Sequence, residues 1–347
     1  MIHLFTTNQH THRPNALAHK PASWGKRLWA SICITMLSPL VSLPANAQWK
    51  SYLAYSEPTE IERASGNMMY VLASEGLYSY DTSDQSLQTY DKINALSDCG
   101  IAHIAWCQKA KRLVIVYSNY NIDLLEANGN VVNMADYMNK TMTTDKTVND
   151  IYVDGAYAYL STGFGIVKIN VANGNISDTY QLGFKVNYSY IKDGYLYAAS
   201  MANGMYRAPL TANLLDPNQW TRSGNYVWRK KTMDEELLNI VKTLAPGGPK
   251  TNYCGFLKLY GNKLFSCNGT FDVKPGSIQV LENNTWTIYQ DDIEAITGRR
   301  YQDILAIDID PKNSNHVMAA GRNGLYEFSN GRFVAYYNNE NSPIQSY

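Results

Sequence analysis

Apolar and polar residues alternate along this chain in short runs. Each run ends at a turn, and most restart from a glycine. SEGLYSYDTSDQ at Ser74–Gln85, GFGIVKINVANG at Gly163–Gly174 and ANGMYRAPL at Ala202–Leu210 are versions of one phrase. PGSIQVLENN at Pro275–Asn284 and RNGLYEFSNG at Arg322–Gly331 repeat it, and SNYNIDLLEANG at Ser118–Gly129 fits with Asn121 in the glycine place. A period of two marks strands with one face turned to a core, and self-similarity at about 40–50 residues marks stacked supersecondary units. The fold class is therefore all-β, a β-propeller of four-stranded antiparallel blades.

The unit is clearest from Val148 to Gly183. Asn149–Val153 reads as an inner strand, Asp154-Gly155 as a type I′ turn, Ala158–Ser161 as the second strand, Gly165–Asn170 as the third and Ile176–Gln181 as the outer one. The intervals between anchors are 45, 44, 39, 72 and 48 residues, running from Gly76 through Asn121, Gly165, Gly204 and Gly276 to Gly324. The interval of 72 holds an insertion, residues 223–250, rather than a missed blade. Within it Thr232 and Glu235 have the spacing of a capping box, Leu237, Leu238, Val241 and Leu244 recur at helical spacing, and Pro246-Gly247-Gly248-Pro249 stops the helix.

Six complete blades leave Trp49–Tyr55 over. It reads as an outer strand with no blade of its own, so a seventh blade is expected, with the chain cut short of its natural C-terminus. An open six-bladed arc is the alternative.

The first 47 residues change the inventory. Lys20, Lys26 and Arg27 precede the mostly apolar stretch Leu28–Leu43, and Ala45-Asn46-Ala47 has the form of a cleavage site. A cleaved signal peptide is expected, with cut between Ala47 and Gln48 and the propeller domain over residues 48–347. Four of the 30 basic residues and none of the 30 acidic ones leave with it, so the exported chain carries a net charge of −4. That balance does not suggest non-specific binding to nucleic acid, which needs a clustered basic footprint. Of the remaining cysteines, Cys99 and Cys107 flank one expected strand, and free thiols are favoured; a Cys254–Cys267 bridge between neighbouring strands is the more feasible of the two pairings. No C-x-x-C pair suggests zinc.

Catalytic equipment is sparse. No nucleophile elbow, H-E-x-x-H or phosphate loop is present, so no catalytic residue, metal or cofactor is assigned and the chain is read as a non-enzyme. His103 reads as a core histidine on an inner strand and His316 as a turn residue. Asp308, Asp310, Asn313 and Asn315 could supply oxygens to calcium, but Asx-rich turns use the same residues. The 27 tyrosines are expected mainly to pack blade against blade. The cluster Trp220, Tyr226, Trp228, Arg229, Lys230 and Lys231, just before the inserted helix, is the candidate contact patch for a partner or glycan.

Three phrases also resemble a known family. AQWKSYLAYSEPTEI at Ala47–Ile61, YSNYNIDLLEANGNVVNMADY at Tyr117–Tyr137 and YLSTGFGIVKINVANGNISDTYQLG at Tyr159–Gly183 are similar to the start and the second and third blades of PorZ-like proteins. The resemblance implies a non-catalytic surface component of the type IX secretion system of Gram-negative bacteria, built from two seven-bladed propellers and a β-sandwich sorting domain. It implies an attachment complex with a PorU-like sortase, a PorV-like barrel and a PorQ-like protein, to which anionic lipopolysaccharide is delivered for anchoring of cargo. The second propeller and the sorting domain lie outside this sequence. The other functional class is the periplasmic ligand-sensing propeller of a hybrid two-component receptor.

Overall fold

The structure is a computed structural model that describes residues 50–345; the expected signal peptide and its Ala47–Gln48 cleavage site lie outside them. Six four-stranded antiparallel sheets follow one another, each with its strands in chain order. Blade 1 is β1 (Pro58–Arg63), β2 (Met68–Ala73), β3 (Gly76–Asp81) and β4 (Leu87–Tyr90). Blade 2 is β5 (Ile101–Cys107), β6 (Arg112–Tyr117), β7 (Ile122–Glu126) and β8 (Val131–Asn133), followed by a short helix α1 (Asp136–Asn139). Blade 3 is β9 (Val148–Asp154), β10 (Tyr157–Thr162), β11 (Gly165–Asn170) and β12 (Asn175–Gln181). Blade 4 is β13 (Tyr188–Lys192), β14 (Tyr195–Ser200), β15 (Gly204–Pro209) and β16 (Thr221–Gly224). After helix α2 (Glu235–Val241), blade 5 is β17 (Phe256–Tyr260), β18 (Lys263–Cys267), β19 (Ile278–Glu282) and β20 (Thr285–Ile288). Helix α3 (Ile293–Thr297) leads to blade 6: β21 (Ile304–Asp310), β22 (Asn313–Gly321), β23 (Gly324–Ser329) and β24 (Arg332–Tyr337).

The recurring glycine opens the third strand in four blades, at Gly76, Gly165, Gly204 and Gly324, and Gly276 stands two residues before it in blade 5. Its reason is close approach: a Cβ on Gly324 would lie 2.3 Å from the Tyr337 carbonyl, where β23 meets β24. Hairpin turns take positive φ at both central residues in Asp193-Gly194 and Asn330-Gly331, as type I′ requires. Asp154-Gly155 has it only at Gly155.

Apolar faces of neighbouring blades form the core. One cluster joins blades 1 and 2 through Tyr70, Ile104 and Leu113. Another joins blades 2 and 3 through Val116, Leu124 and Leu160. A third joins blades 3 and 4 through Tyr159, Tyr180 and Leu196, and a fourth joins blades 5 and 6 through Phe265, Val280 and Val317. No such cluster joins blades 4 and 5 among the described residues. Helix α2 instead covers the free face of blade 1, burying Leu237 and Val241 against Met69, Val71 and Tyr78. Each such aliphatic burial contributes about 1.5–3 kcal/mol. Blade 5 meets blade 1 through the chain's first described stretch: Tyr52 packs edge-on against Trp286, and Asn252 accepts from the Ala54 N–H and donates to the Ser74 carbonyl.

Several local expectations change. Residues 50–56 join no sheet; their polar groups bond to side chains and loop carbonyls, as where the Tyr52 hydroxyl donates to Asn284 and the Ser56 hydroxyl to the Lys250 carbonyl. The N-cap of α2 is Asp234, whose carboxylate accepts from the N–H groups of Glu236 and Leu237, so the helix starts later than the Thr232 spacing predicts. Cys107 and Cys267 are buried thiols and Cys99 and Cys254 exposed ones; burial pushes Cys267 up to about 11. Asp308 bonds to the Ile309 N–H and to Lys258, Asp310 to the Lys312 N–H, and Asn313 to the Asn315 N–H, so these oxygens shape a turn.

His316 lies on β22 rather than in a turn, between Glu327 at 2.9 Å and Asp310 at 3.5 Å. The Glu327 hydrogen bond, then that of Asp310, raises its pKa above the ordinary value of about 6.5. A raised folded pKa stabilises fully below the unfolded value and is lost as pH rises through the folded one. The Tm of the wild type is therefore expected to fall more than that of His316→Gln as pH rises above about 6.5; parallel curves would remove the ion pair as the cause.

Candidate functional site

The segment after β16 does not project from the fold. Residues 225–234 form a strap across the first strands of several blades, which are the strands that meet at the blade junctions. Arg229 donates to the Asp150 carboxylate on β9 at 2.7 Å and lays its guanidinium over the Tyr188 ring, 4.4 Å from the centroid. Tyr188 in turn donates its hydroxyl to the Val227 carbonyl at 2.6 Å. Two residues on, Lys231 donates to Glu60 on β1 at 2.6 Å. At the start of α2, Arg63 of β1 pairs with Asp234 and Glu236.

The acids beneath the strap are buried because strands must bring their side chains inward at every second position. Glu60 is 6% exposed and also shares a hydrogen bond with His103 Nδ1 and accepts the Ile104 N–H at 2.7 Å. Burial alone would raise its pKa, but His103 and Lys231 outweigh it and hold Glu60 below the ordinary carboxylate range. Glu62 accepts the Trp106 N–H at 3.0 Å, and burial raises its pKa. Asp150 is also raised, by burial, with Arg229 opposing. Three acids and two cations thus form one network over β1, β5 and β9. Its groups are engaged with each other and with backbone N–H, which makes it a clasp, with no geometry for a nucleophile and its base. Among the described residues no group of three or more acids, histidines and cysteines is placed to hold a metal ion.

The six patch residues separate. Trp220 is buried, its indole N–H bonded to the Leu214 carbonyl and its ring tilted against Tyr180. Tyr226 packs against Tyr188. Arg229 and Lys231 are the clasp cations described above. Trp228, 68% exposed, and Lys230, also exposed, point outward. The sequence signal that failed to reveal the clasp was the acids themselves, Glu60 and Asp150, which read as ordinary polar positions in strands. Beside the strap lies a groove of about 590 Å³, bounded by Trp228 on one side and by Tyr190, Tyr197, Met205 and Arg207 of blade 4 on the other. Tyr190 and Tyr197 stack at 4.7 Å with an interplanar angle of 3°, and Arg207 covers the Tyr195 ring.

Fold and site together define an all-β protein of four-stranded propeller blades with a strap clasped across their first strands. Residues 69–221 match the family described as TSS9, PorZ, N-terminal beta-propeller domain. Over those residues the chain resembles the N-terminal propeller of PorZ. It is similar to PorZ of Porphyromonas gingivalis, described as an essential bacterial surface component of the type IX secretion system, with a TM-score of 0.72 and 19% identity over 86% of this chain. The match takes in 54% of that protein, so this chain spans about half its length. The extracellular domain of BT4673 from B. thetaiotaomicron is also similar, with a TM-score of 0.38 and 12% identity, over 82% of this chain and 42% of that one. No curated protein sequence matches. Among the described residues no helix is long and apolar enough to cross a membrane.

Proposed function

We propose that this protein is a non-catalytic binding component of a type IX secretion machinery at the bacterial surface. Its task is to present an anionic lipopolysaccharide glycan to a PorU-like sortase, in company with PorV-like and PorQ-like partners. The PorZ-like propeller supports the assignment to the machinery. The observation that carries the binding role is the strap: the clasp fixes Arg229 and Lys231, and this leaves Trp228 and Lys230 outward on a held backbone. An exposed indole offers a flat face to sugar C–H groups, and an adjacent ammonium suits a phosphate or carboxylate. The buried network supports a non-catalytic role, since its acids are engaged in holding the strap.

The test is a strain whose chromosomal copy carries Trp228→Ala and Lys230→Ala. Both side chains are exposed, so folding is expected to survive. Purified protein should bind anionic lipopolysaccharide about tenfold more weakly, a difference of about 1.4 kcal/mol, and surface attachment of cargo should fall. Full cargo attachment in a strain deleted for the whole gene would sink the secretion reading. Unchanged glycan binding by the double variant would sink the site alone.

A further inference from the structure

Buried apolar side chains hold the blades and helix α2 in place, but not the strap between them. Of residues 225–234 only Tyr226 and Met233 are even half-buried; the rest are exposed. Among the described residues, 225–233 make no backbone–backbone hydrogen bond. At one end the strap has the Tyr226–Tyr188 contact, with the Tyr188 hydroxyl on the Val227 carbonyl. At the other, Arg63 pairs with Asp234 and Glu236 where all three are exposed, and such pairs contribute little. Between these ends the strap rests on two ion pairs, Arg229 on Asp150 at 2.7 Å and Lys231 on Glu60 at 2.6 Å.

Both pairs end on carboxylates that the strands keep out of water. The groups around them come from every neighbouring element: Glu62 of β1, His103 of β5 on its hydrogen bond to Glu60, and the Tyr188 ring of β13 under Arg229. Burial pushes all three carboxyls up. Against it, His103 and Lys231 hold Glu60 down, the Trp106 N–H and Lys231 hold Glu62 down, and Arg229 and then Lys231 hold Asp150 down. Lifting the strap withdraws both cations, so each carboxyl binds its proton more tightly with the strap lifted than with it docked. Such groups favour docking at pH above their lifted-state pKa, and that contribution is lost as pH falls through the docked-state pKa. For Asp150 the docked value already stands above the ordinary aspartate range, so it is the first to go.

We propose that the strap is a pH-sensitive latch: it lies closed while Asp150 and Glu60 are ionised, and swings open about Tyr226 and the start of α2 as they take up protons. Helix α2 stays seated, because Leu237 and Val241 hold it to blade 1 by apolar burial. Opening frees the backbone that carries Trp228 and Lys230. With those two as glycan contacts, the contact is firm near neutral pH and slack in acid; that consequence rests on the proposed function, and the latch itself does not.

The test uses the full-length protein with no glycan present. Hydroxyl-radical footprinting from about pH 7 down to about pH 4 should show oxidation of Tyr226 and Met233 rising severalfold, while Met69, buried beneath α2, stays protected. Asp150→Asn with Glu60→Gln should show the raised oxidation already at neutral pH and no further response to acid. In that variant trypsin should cut after Arg229, Lys230 or Lys231 about tenfold faster than in wild type, since cleavage tracks the open population. Flat oxidation of Tyr226 and Met233 across the pH range overturns the proposal. So does oxidation of Met69 rising in step with theirs, because the blade then opens as a whole, and so does a wild-type strap cut as fast as the variant's. Should the double variant fail to fold, the wild-type footprint decides alone. The glycan reading fails separately, on lipopolysaccharide binding by the Trp228→Ala, Lys230→Ala protein.

Discussion

Replacing Asp303 with alanine is expected to lower the unfolding free energy by about 3 kcal/mol or more, in the range for removing one partner of a buried ion pair. Asp303 has no exposed surface. One carboxylate oxygen accepts the Lys274 N–H at 2.7 Å, and the other accepts the Val273 N–H at 3.0 Å and Arg322 Nε at 2.6 Å. It therefore ties the loop between β18 and β19 of blade 5 to the entry of β21 and the β22–β23 turn of blade 6. The same Arg322 lies over the Phe271 ring at 3.5 Å, so its loss of a counter-ion also loosens that loop.

The pH dependence has a definite sign. Burial, the largest influence, pushes the Asp303 pKa up, but the Lys274 N–H, Arg322 and the Val273 N–H together bring it below the ordinary value. A depressed folded pKa gives stability that is present above the unfolded value, about 3.9, and is lost as pH falls through the folded one. Asp303→Asn removes the charge and one of the two accepting oxygens while keeping the backbone, because asparagine also tolerates the positive φ of 48° found here. Urea titrations from pH 6 downward should show the wild-type advantage over this variant shrinking below about pH 4. An alanine variant within about 0.5 kcal/mol of wild type, the scatter of ordinary surface changes, would show that the carboxylate does not join the two blades.

Asp303 also marks where the sequence stops being informative. In the run Tyr301-Gln302-Asp303-Ile304 it reads as a polar residue before a strand, and its partners lie 19 to 30 residues away. The blades themselves were legible because each is a local object: alternation, a turn dipeptide and a glycine recur within some forty residues. The order in which blades pack was not. Blade 5 leaves blade 4 because of the strap, and the strap is held by Glu60, 171 residues from Lys231, and Asp150, 79 residues from Arg229. Adjacency in sequence makes Trp220 to Lys231 look like one cluster. Strand geometry and the clasp then split it, with Trp220 in the core, Arg229 and Lys231 on buried acids, and Trp228 and Lys230 outward. Aromatic and basic residues close together in sequence signal a contact surface only where the buried acids that compete for the cations are known.

Gly165→Ala is expected to cost about 3 kcal/mol or more, placing it among the uncommon single substitutions of large effect. Two penalties combine. The backbone at Gly165 has φ of 154°, a region that L side chains rarely adopt. A Cβ there would also stand 2.0 Å from the Tyr180 carbonyl and 3.0 Å from the Leu182 nitrogen, both backbone atoms at the end of the neighbouring strand β12. Rotating a side chain away cannot relieve that contact, so β12 must move. Its register, Gly165 opposite Gln181 and Ile166 opposite Tyr180, sets the Tyr180 ring against Trp220 in the core between blades 3 and 4. Gly155→Ala is the control. It has φ of 58° and open space around the Cβ, so it bears only the left-handed backbone cost of about 1–2 kcal/mol. The difference between the two variants in urea unfolding reads the close contact together with the costlier backbone region at Gly165. If Gly165→Ala loses no more than Gly155→Ala, the recurring glycine is a matter of backbone freedom, and the close approach of third and fourth strands does not explain why it returns blade after blade. If it loses clearly more, the same reasoning predicts a comparable loss for Gly324→Ala, where the Tyr337 carbonyl stands 2.3 Å from the added carbon.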